Sequence, residues 1–432
     1  MAISIFSLNS LNLLSVFCIC TVSFVFASQS NTKLVLFVFR HGDRSPYIPY
    51  KGYKHLSFWE QGPGQLTTVG MRQQHTLGLF IKQTYTPEII SSNYTRNQLY
   101  VRSTDVDRTI MSALSQLSGI FPPSGGQIFD SSIAWQPIPV HEVAKDRDNV
   151  LRGQSVYCPK YKKLVDEYKY TKEYIDMGKK YGDVLQTISD AQNTVVTLSN
   201  IESYIDTIFC DKQHNLSLPL WAIENYDTLL EIQNWYWRRY VDTREKVRLS
   251  GGRFLSDFWT KINDKINGNT PTIKAYFYSA HDSTLVSVTN GFSIWNQLQP
   301  PYATVLIAEL IHEDTDWFMQ FLYKNNSDSA PYPLYVPNCG YKCSVENLRQ
   351  LTADVTVSQE EWENECEIET YSTENIKLIY TITILLCVFL ISLVCIAIIL
   401  TAMAIVFRRK YAPAPLQYSQ FKIDDSAIGL IM

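Results

Sequence analysis

The sequence predicts an α/β fold with an inserted helical region. Two apolar stretches, Leu34–Phe39 and Ile273–Tyr278, are rich in β-prone residues and show no polar alternation. Strands of that texture are buried on both faces of a sheet. Each runs straight into a histidine with charged neighbours. The first is followed by Arg40-His41-Gly42-Asp43-Arg44-Ser45-Pro46, the second by Ser279-Ala280-His281-Asp282. Between about residues 146 and 245 glycine is rare and helical runs dominate, which predicts a mostly helical subdomain capping the sheet.

The elements follow in chain order. Ile3 to Phe26 carries no charge, and Val25 and Ala27 fit the small-residue pattern of a cleavage site. Residues 1–27 therefore read as a secretory signal peptide, with a signal anchor as the alternative. The strand Leu34–Phe39 ends where Gly42 and Pro46 break it. Arg40, His41 and Arg44 thus lie past its carboxyl end, where open α/β sheets bind ligands. Two guanidiniums offer forked donors that suit phosphate oxygens. An imidazole between them can attack phosphorus through a neutral ring nitrogen.

Thr67 to Tyr85 has loosely helical spacing, and Thr67 can cap it. Leu99–Val101 reads as a short strand. Arg102 to Arg108 reads as a turn in which Asp105 and Asp107 can hold arginines, with Arg102 in a scaffold ion pair. Met111 to Ile120 reads as a helix that stops before Pro122-Pro123. Trp135 to His141 is extended, because two prolines exclude a regular helix.

In the cap, Tyr161–Met177 and Val184–Ile208 read as helices. Aromatics such as Trp235-Tyr236-Trp237 serve first as the cap's own core and second as lining for a leaving group. After Gly251-Gly252 a helix runs from about Phe254 to Ile266. The strand Ile273–Tyr278 then brings His281 and Asp282 to the ligand edge of a parallel sheet. Tyr302–Leu310 and Phe318–Tyr323 read as further strands, and Asn364–Glu374 as an acidic stem.

Leu378 to Phe407 carries no charge and would span ~45 Å as a helix, more than a ~30 Å hydrocarbon core. Arg408-Arg409-Lys410 follow at once, which orients residues 408–432 to the cytosol. Residues 28–377 then form a lumenal or extracellular domain on a single-pass type I anchor. The formal charge of −4 gives no basic surface for nucleic acid, so any anion site has to be a local cluster.

That domain keeps Cys158, Cys210, Cys339, Cys343 and Cys366, an odd number in an oxidising compartment. At least one stays out of intramolecular pairing, and no pair has the two-residue spacing of a zinc site. Asn93, Asn215 and Asn325 open glycosylation triplets expected on surface loops.

Arg40-His41-Gly42-Asp43-Arg44-Ser45-Pro46 resembles the signature of the histidine acid phosphatases, in the branch of the prostatic and lysosomal enzymes. Gly64–Thr67, Arg102–Thr109, Trp135–His141, Ser279–Asp282 and Pro300–Ala303 are similar to that branch too, in the same order. The resemblance implies a three-layer histidine-phosphatase sandwich and hydrolysis of phosphate monoesters through a phosphohistidine. It implies His41 as nucleophile and Asp282 as proton donor, with Arg40, Arg44, Arg108 and His281 on the phosphate. No metal and no cofactor are implied, since arginines supply the positive charge.

It also implies the bridges Cys158–Cys366 and Cys339–Cys343. The partner of Cys210 would fall near Val305, so a third bridge is missing. A homodimer through the region of Trp135 and His141 is implied as well. Tyr418-Ser419-Gln420-Phe421 fits a clathrin-adaptor signal, which points to endosomes and lysosomes, with the plasma membrane as runner-up. Two competing readings are a phytase or inositol-polyphosphate phosphatase, which would want a wider, more basic pocket, and a catalytically silent receptor ectodomain. The latter would have lost His41 or Asp282.

Overall fold

The computed structural model describes residues 31–366 and 373–411. The predicted signal peptide, the motif Tyr418–Phe421 and most of the predicted tail lie outside the described residues. The chain divides into two units, Met1–Ile368 and Glu369–Met432.

In the first unit, strand β1 (Thr32–Arg40) is buried along nearly its whole length. Helix α1 (Thr68–Tyr85) is capped by Thr67, whose hydroxyl accepts from the Gly70 N–H. Strand β2 (Leu99–Ser103) runs into helix α2 (Asp107–Ile120). Arg102 and Ser103 therefore finish a strand, and Asp107 and Arg108 open a helix, where the sequence suggested one turn. Arg102 pairs with Asp148 at 2.5 Å. Neither Asp105 nor Asp107 forms a salt bridge with an arginine among the described residues.

The cap contains α3 (Pro159–Glu167), α4 (Lys172–Lys180), α5 (Gly182–Gln192), α6 (Glu202–Gln213), α7 (Leu220–Glu224) and α8 (Tyr226–Tyr236). The two long runs read from sequence are each broken. A 3₁₀ turn at Tyr168–Tyr170 interrupts the first, and Asn193 in the left-handed region (φ 47°) ends α5. Tyr168, Tyr181, Tyr204, Trp221 and Trp235 pack together as a core of the cap's own.

Helix α9 (Arg244–Ile266) passes straight through Gly251 and Gly252. The pair is no break: a Cβ on Gly252 would sit 2.2 Å from the Val355 carbonyl oxygen. It is a site of close backbone approach. Strand β3 (Ala275–Ala280), helix α10 (Asp282–Gly291), β4 (Val305–Glu313) and β5 (Asp316–Lys324) follow. Short strands β6 (Tyr332–Pro333) and β7 (Lys342–Ser344) and helices α11 (Val345–Thr352) and α12 (Gln359–Glu365) complete the unit.

The strand order is β2-β3-β1-β4-β5-β6, with β7 also on β5. The sheet is mixed, not parallel: β2, β3 and β1 run parallel, and β4 and β5 antiparallel. Successive β1 residues feed opposite layers. Leu34, Leu36 and Val38 pack with Phe254, Phe258 and Leu285, while Val35, Phe37 and Phe39 pack with Leu77, Ile81 and Leu117. This alternation makes three layers from a stretch with no polar face. The register pairs Arg40 with Ala280 and Ser103 with Ser279. Three chain segments so end together at one sheet edge.

Cys158 is bonded to Cys366 and Cys339 to Cys343. In the second unit, helix α13 (Thr373–Tyr411) is long and apolar enough to cross a membrane and carries Arg408, Arg409 and Lys410 in its last turn.

Candidate active site

Where β1 ends, Gly42 crosses Gly70 of α1 so closely that a Cβ on Gly42 would lie 2.3 Å from the Gly70 carbonyl oxygen. That contact draws the loop after β1 onto the amino end of α1. Arg40 closes β1, and His41 and Arg44 stand on the loop, all three buried. Arg40 sends Nη1 to the Pro300 carbonyl at 2.6 Å and Nη2 to Asp282 Oδ2 at 2.8 Å. Its guanidinium lies 4.2 Å over the Tyr302 ring. Arg44 is clamped by both oxygens of Asp206, at 2.8 and 3.0 Å.

His41 Nδ1 lies 2.8 Å from the Gly42 carbonyl oxygen. A carbonyl only accepts, so Nδ1 carries the proton and Nε2 keeps its lone pair. Burial first, then the guanidiniums of Arg108, Arg40 and Arg44, hold the ring well below the usual histidine range.

From the first turn of α2, Arg108 donates to the Gly64 carbonyl and to His281 Nδ1, each at 3.4 Å. Burial, with Arg44 beside it, pulls Arg108 down to about 10. Because Arg108 can only donate, His281 Nδ1 accepts, and its Nε2–H faces Thr104 Oγ1 at 3.0 Å. The His281 ring is kept neutral by burial and by Arg108. It sits edge-on to His41 with ring centres 5.6 Å apart.

Asp282 opens α10. Burial works against its charge, but Arg40 and Arg44 outweigh it and hold the carboxyl below the usual range. Gln299 Nε2 approaches its Oδ2 at 3.4 Å.

All six predicted site residues, Arg40, His41, Arg44, Arg108, His281 and Asp282, thus gather at one sheet edge. Sequence reasoning missed their supports on α6, Asp206 and His214. The latter caps the helix and holds Asp43 Oδ2 at 2.6 Å. It also gave Tyr302 no role. The spacing of Asp206, Cys210 and His214 at four residues was the available signal. Cys210 is free and fully buried, its Sγ 3.5 Å from the Tyr302 hydroxyl and 3.8 Å from Arg44 Nη1. That burial leaves no path to a bridge with another chain.

Residues 33–324 match the sequence profile of the histidine phosphatase superfamily, branch 2. The chain belongs to this family. It is 36% identical over 352 residues to the lysosomal acid phosphatase of Xenopus laevis, covering 80% of this chain and 81% of that protein. To the human lysosomal enzyme it is 37% identical, covering 78% and 80%, and to human prostatic acid phosphatase 35%, covering 77% and 87%. Its activity is that of an acid phosphatase, the hydrolysis of phosphate monoesters.

Among solved structures, the apo phytase of Hafnia alvei superposes with a TM-score of 0.60 at 12% identity, covering 78% of this chain and 98% of that one. The phytase of Citrobacter braakii gives 0.57 at 15%, covering 78% and 99%. At that identity they share the fold, and no substrate follows from them.

Proposed function

We propose that the phosphatase reaction runs in two steps with His41 as nucleophile. The observation that carries this reading is the His41–Gly42 hydrogen bond, which leaves Nε2 unprotonated among three guanidiniums. Nε2 forms a bond to phosphorus as the bond to the leaving oxygen breaks, and Asp282 gives that oxygen a proton. Water then loses a proton to the Asp282 carboxylate and attacks phosphorus, and the nitrogen–phosphorus bond breaks. Arg40, Arg44 and Arg108 hold the equatorial oxygens while charge redistributes. His281 joins them once a phosphate draws Arg108 off its Nδ1, since the anion offsets the guanidiniums that keep the ring neutral.

Rapid denaturation at alkaline pH after mixing with ³²P-labelled substrate should leave label on His41 of the wild type and none on His41→Ala. That variant should lose at least about 10⁴-fold in kcat. Turnover by His41→Ala near the wild-type rate would overturn the assignment.

The wider reading is a type I membrane protein: residues 1–27 removed, 28–377 lumenal or extracellular, 378–407 in the membrane and 408–432 cytosolic. Helix α13, its basic end and the two disulfides support it. Endosomes and lysosomes are the proposed destination, through Tyr418–Phe421 and clathrin adaptors. Where a Tyr418→Ala chain accumulates tests this.

Asn93 and Asn215 are exposed and suit glycan attachment. Asn325 suits it less, being half-buried. A homodimer would use the edge at β2. There His141 stacks on Tyr100 at 5.0 Å, and Phe129, Ile133 and Trp135 are exposed. Sedimentation of the Trp135→Ala chain tests that contact.

A further inference from the structure

Helix α6 and its cap carry a ladder of four polar groups one turn apart: Glu202, Asp206, Cys210 and His214. The lower three rungs are engaged along the loop after β1. Asp206 clamps Arg44 and accepts from the Tyr47 N–H at 2.9 Å, Cys210 lies against Arg44 and Tyr302, and His214 holds Asp43.

Glu202, the top rung, is half-buried, and its carboxyl has no hydrogen bond or salt bridge to a protein group among the described residues. Its charged neighbours come from four different segments. They are Asp206 on its own helix, Arg44 from the loop after β1, Asp282 from α10, and Arg239 from the 3₁₀ turn after α8. Tyr236 at the end of α8 also faces it. Arg239 lies over the rings of Tyr236 and Tyr240, 3.7 and 4.6 Å from their centres.

Charge balance gives this position weight. In the phosphate cradle proposed above, three guanidiniums stand against the carboxylates of Asp206 and Asp282. One net positive charge remains. An ionised Glu202 sets a negative charge against it, partly offset by Arg239. Burial, then repulsion by Asp206, pushes the Glu202 carboxyl up to about 7.

The geometry points to Glu202 as a specificity-determining residue that sets the upper pH edge of phosphate binding: neutral, it leaves the cradle net positive, and ionised, it opposes an incoming dianion. The inference rests on the cradle reading, so the test separates binding from turnover.

The full chain in detergent micelles is assayed from pH 5 to pH 8. kcat and KM are measured on p-nitrophenyl phosphate, and Kd for inorganic phosphate by calorimetry. The ratio of Glu202→Gln to wild-type affinity should rise roughly fivefold or more between pH 6 and pH 8. The change should sit in KM and Kd, not in kcat. Glu202→Ser should behave like Glu202→Gln, and Glu202→Asp like the wild type. A ratio that stays flat with pH, or one that moves only in kcat, overturns the proposal. Absence of turnover by the wild type would strike the proposed reaction instead, and the phosphate Kd would still decide the role of Glu202.

Discussion

Arg40 holds one anion, Asp282, and in the proposed reaction it is needed for another. Its Nη2 lies 2.8 Å from Asp282, whose carboxyl is thereby kept ionised. A general acid has to arrive protonated. A phosphate that takes over Arg40 removes this cation from Asp282 and brings negative charge beside it, and both effects favour the proton. In the proposed reaction, substrate binding thus loads the acid, and loads it best at low pH. Asp282→Asn removes the transferable proton while keeping the shape. Hydrolysis of an alkyl phosphate should fall about 10²–10⁴-fold, and that of p-nitrophenyl phosphate far less, because its leaving oxide hardly needs a proton. Equal losses on both substrates in steady-state assays would deny Asp282 the acid role.

Helix α9 shows how an element is decided by what it packs against. Glycine in a helix interior costs about 1 kcal/mol relative to alanine, so Gly252→Ala would stabilise α9 on propensity alone. The Val355 carbonyl, 2.2 Å from where the methyl carbon would go, reverses this. Forced overpacking costs roughly 1–3 kcal/mol, and here the opposing atom is backbone. Thermal unfolding should therefore show a lower Tm for Gly252→Ala; a higher one would mean the contact relaxes freely.

The same residues explain what was legible in the sequence. Strand ends announced themselves: unbroken apolar runs stop at Arg40-His41 and at His281-Asp282, and the chemistry stands beside the stop. Gly251-Gly252 was misread as a helix break because the reason for it, the Val355 backbone, lies about a hundred residues away. Asp206 and His214 were silent for a similar cause. A polar residue every fourth position marks a helix face, and only the tertiary partner shows whether that face meets water or Arg44 and Asp43. The antiparallel pairing of β4 with β1 likewise depends on chain connections that no strand texture records.

At the scale of the whole molecule, the site and its framework respond to acid in opposite directions. His41 is neutral when folded, its pKa held well below 6.5 by burial and by Arg108. The unfolded chain protonates this histidine near 6.5, so each pH unit below that costs the fold about 1.4 kcal/mol until the lowered folded pKa is reached. Glu309 on β4 does the reverse. It is buried with only the Tyr85 hydroxyl at 2.8 Å for company, and burial raises its carboxyl above 4.5. Its stabilising proton is fully present below 4.5 and is lost as pH rises through the raised folded value.

Two difference curves follow for the full chain. Relative to wild type, His41→Ala starts lower at neutral pH because of the cavity it leaves, then gains steadily as pH falls below 6.5. Glu309→Gln starts higher, since it removes a buried ionisable group, and loses that advantage on acidification toward 4.5. Thermal unfolding at pH 5, 6, 7 and 8 would show the two curves sloping oppositely; parallel curves for all three chains would mean that neither group titrates differently in the fold. If the slopes are as argued, stability in acid is spent at the sheet edge, where His41 is held in the neutral form the proposed reaction needs, and is recovered inside the sheet. Inorganic phosphate, by offsetting the guanidiniums that hold His41 neutral, should then raise the Tm more at pH 5 than at pH 7.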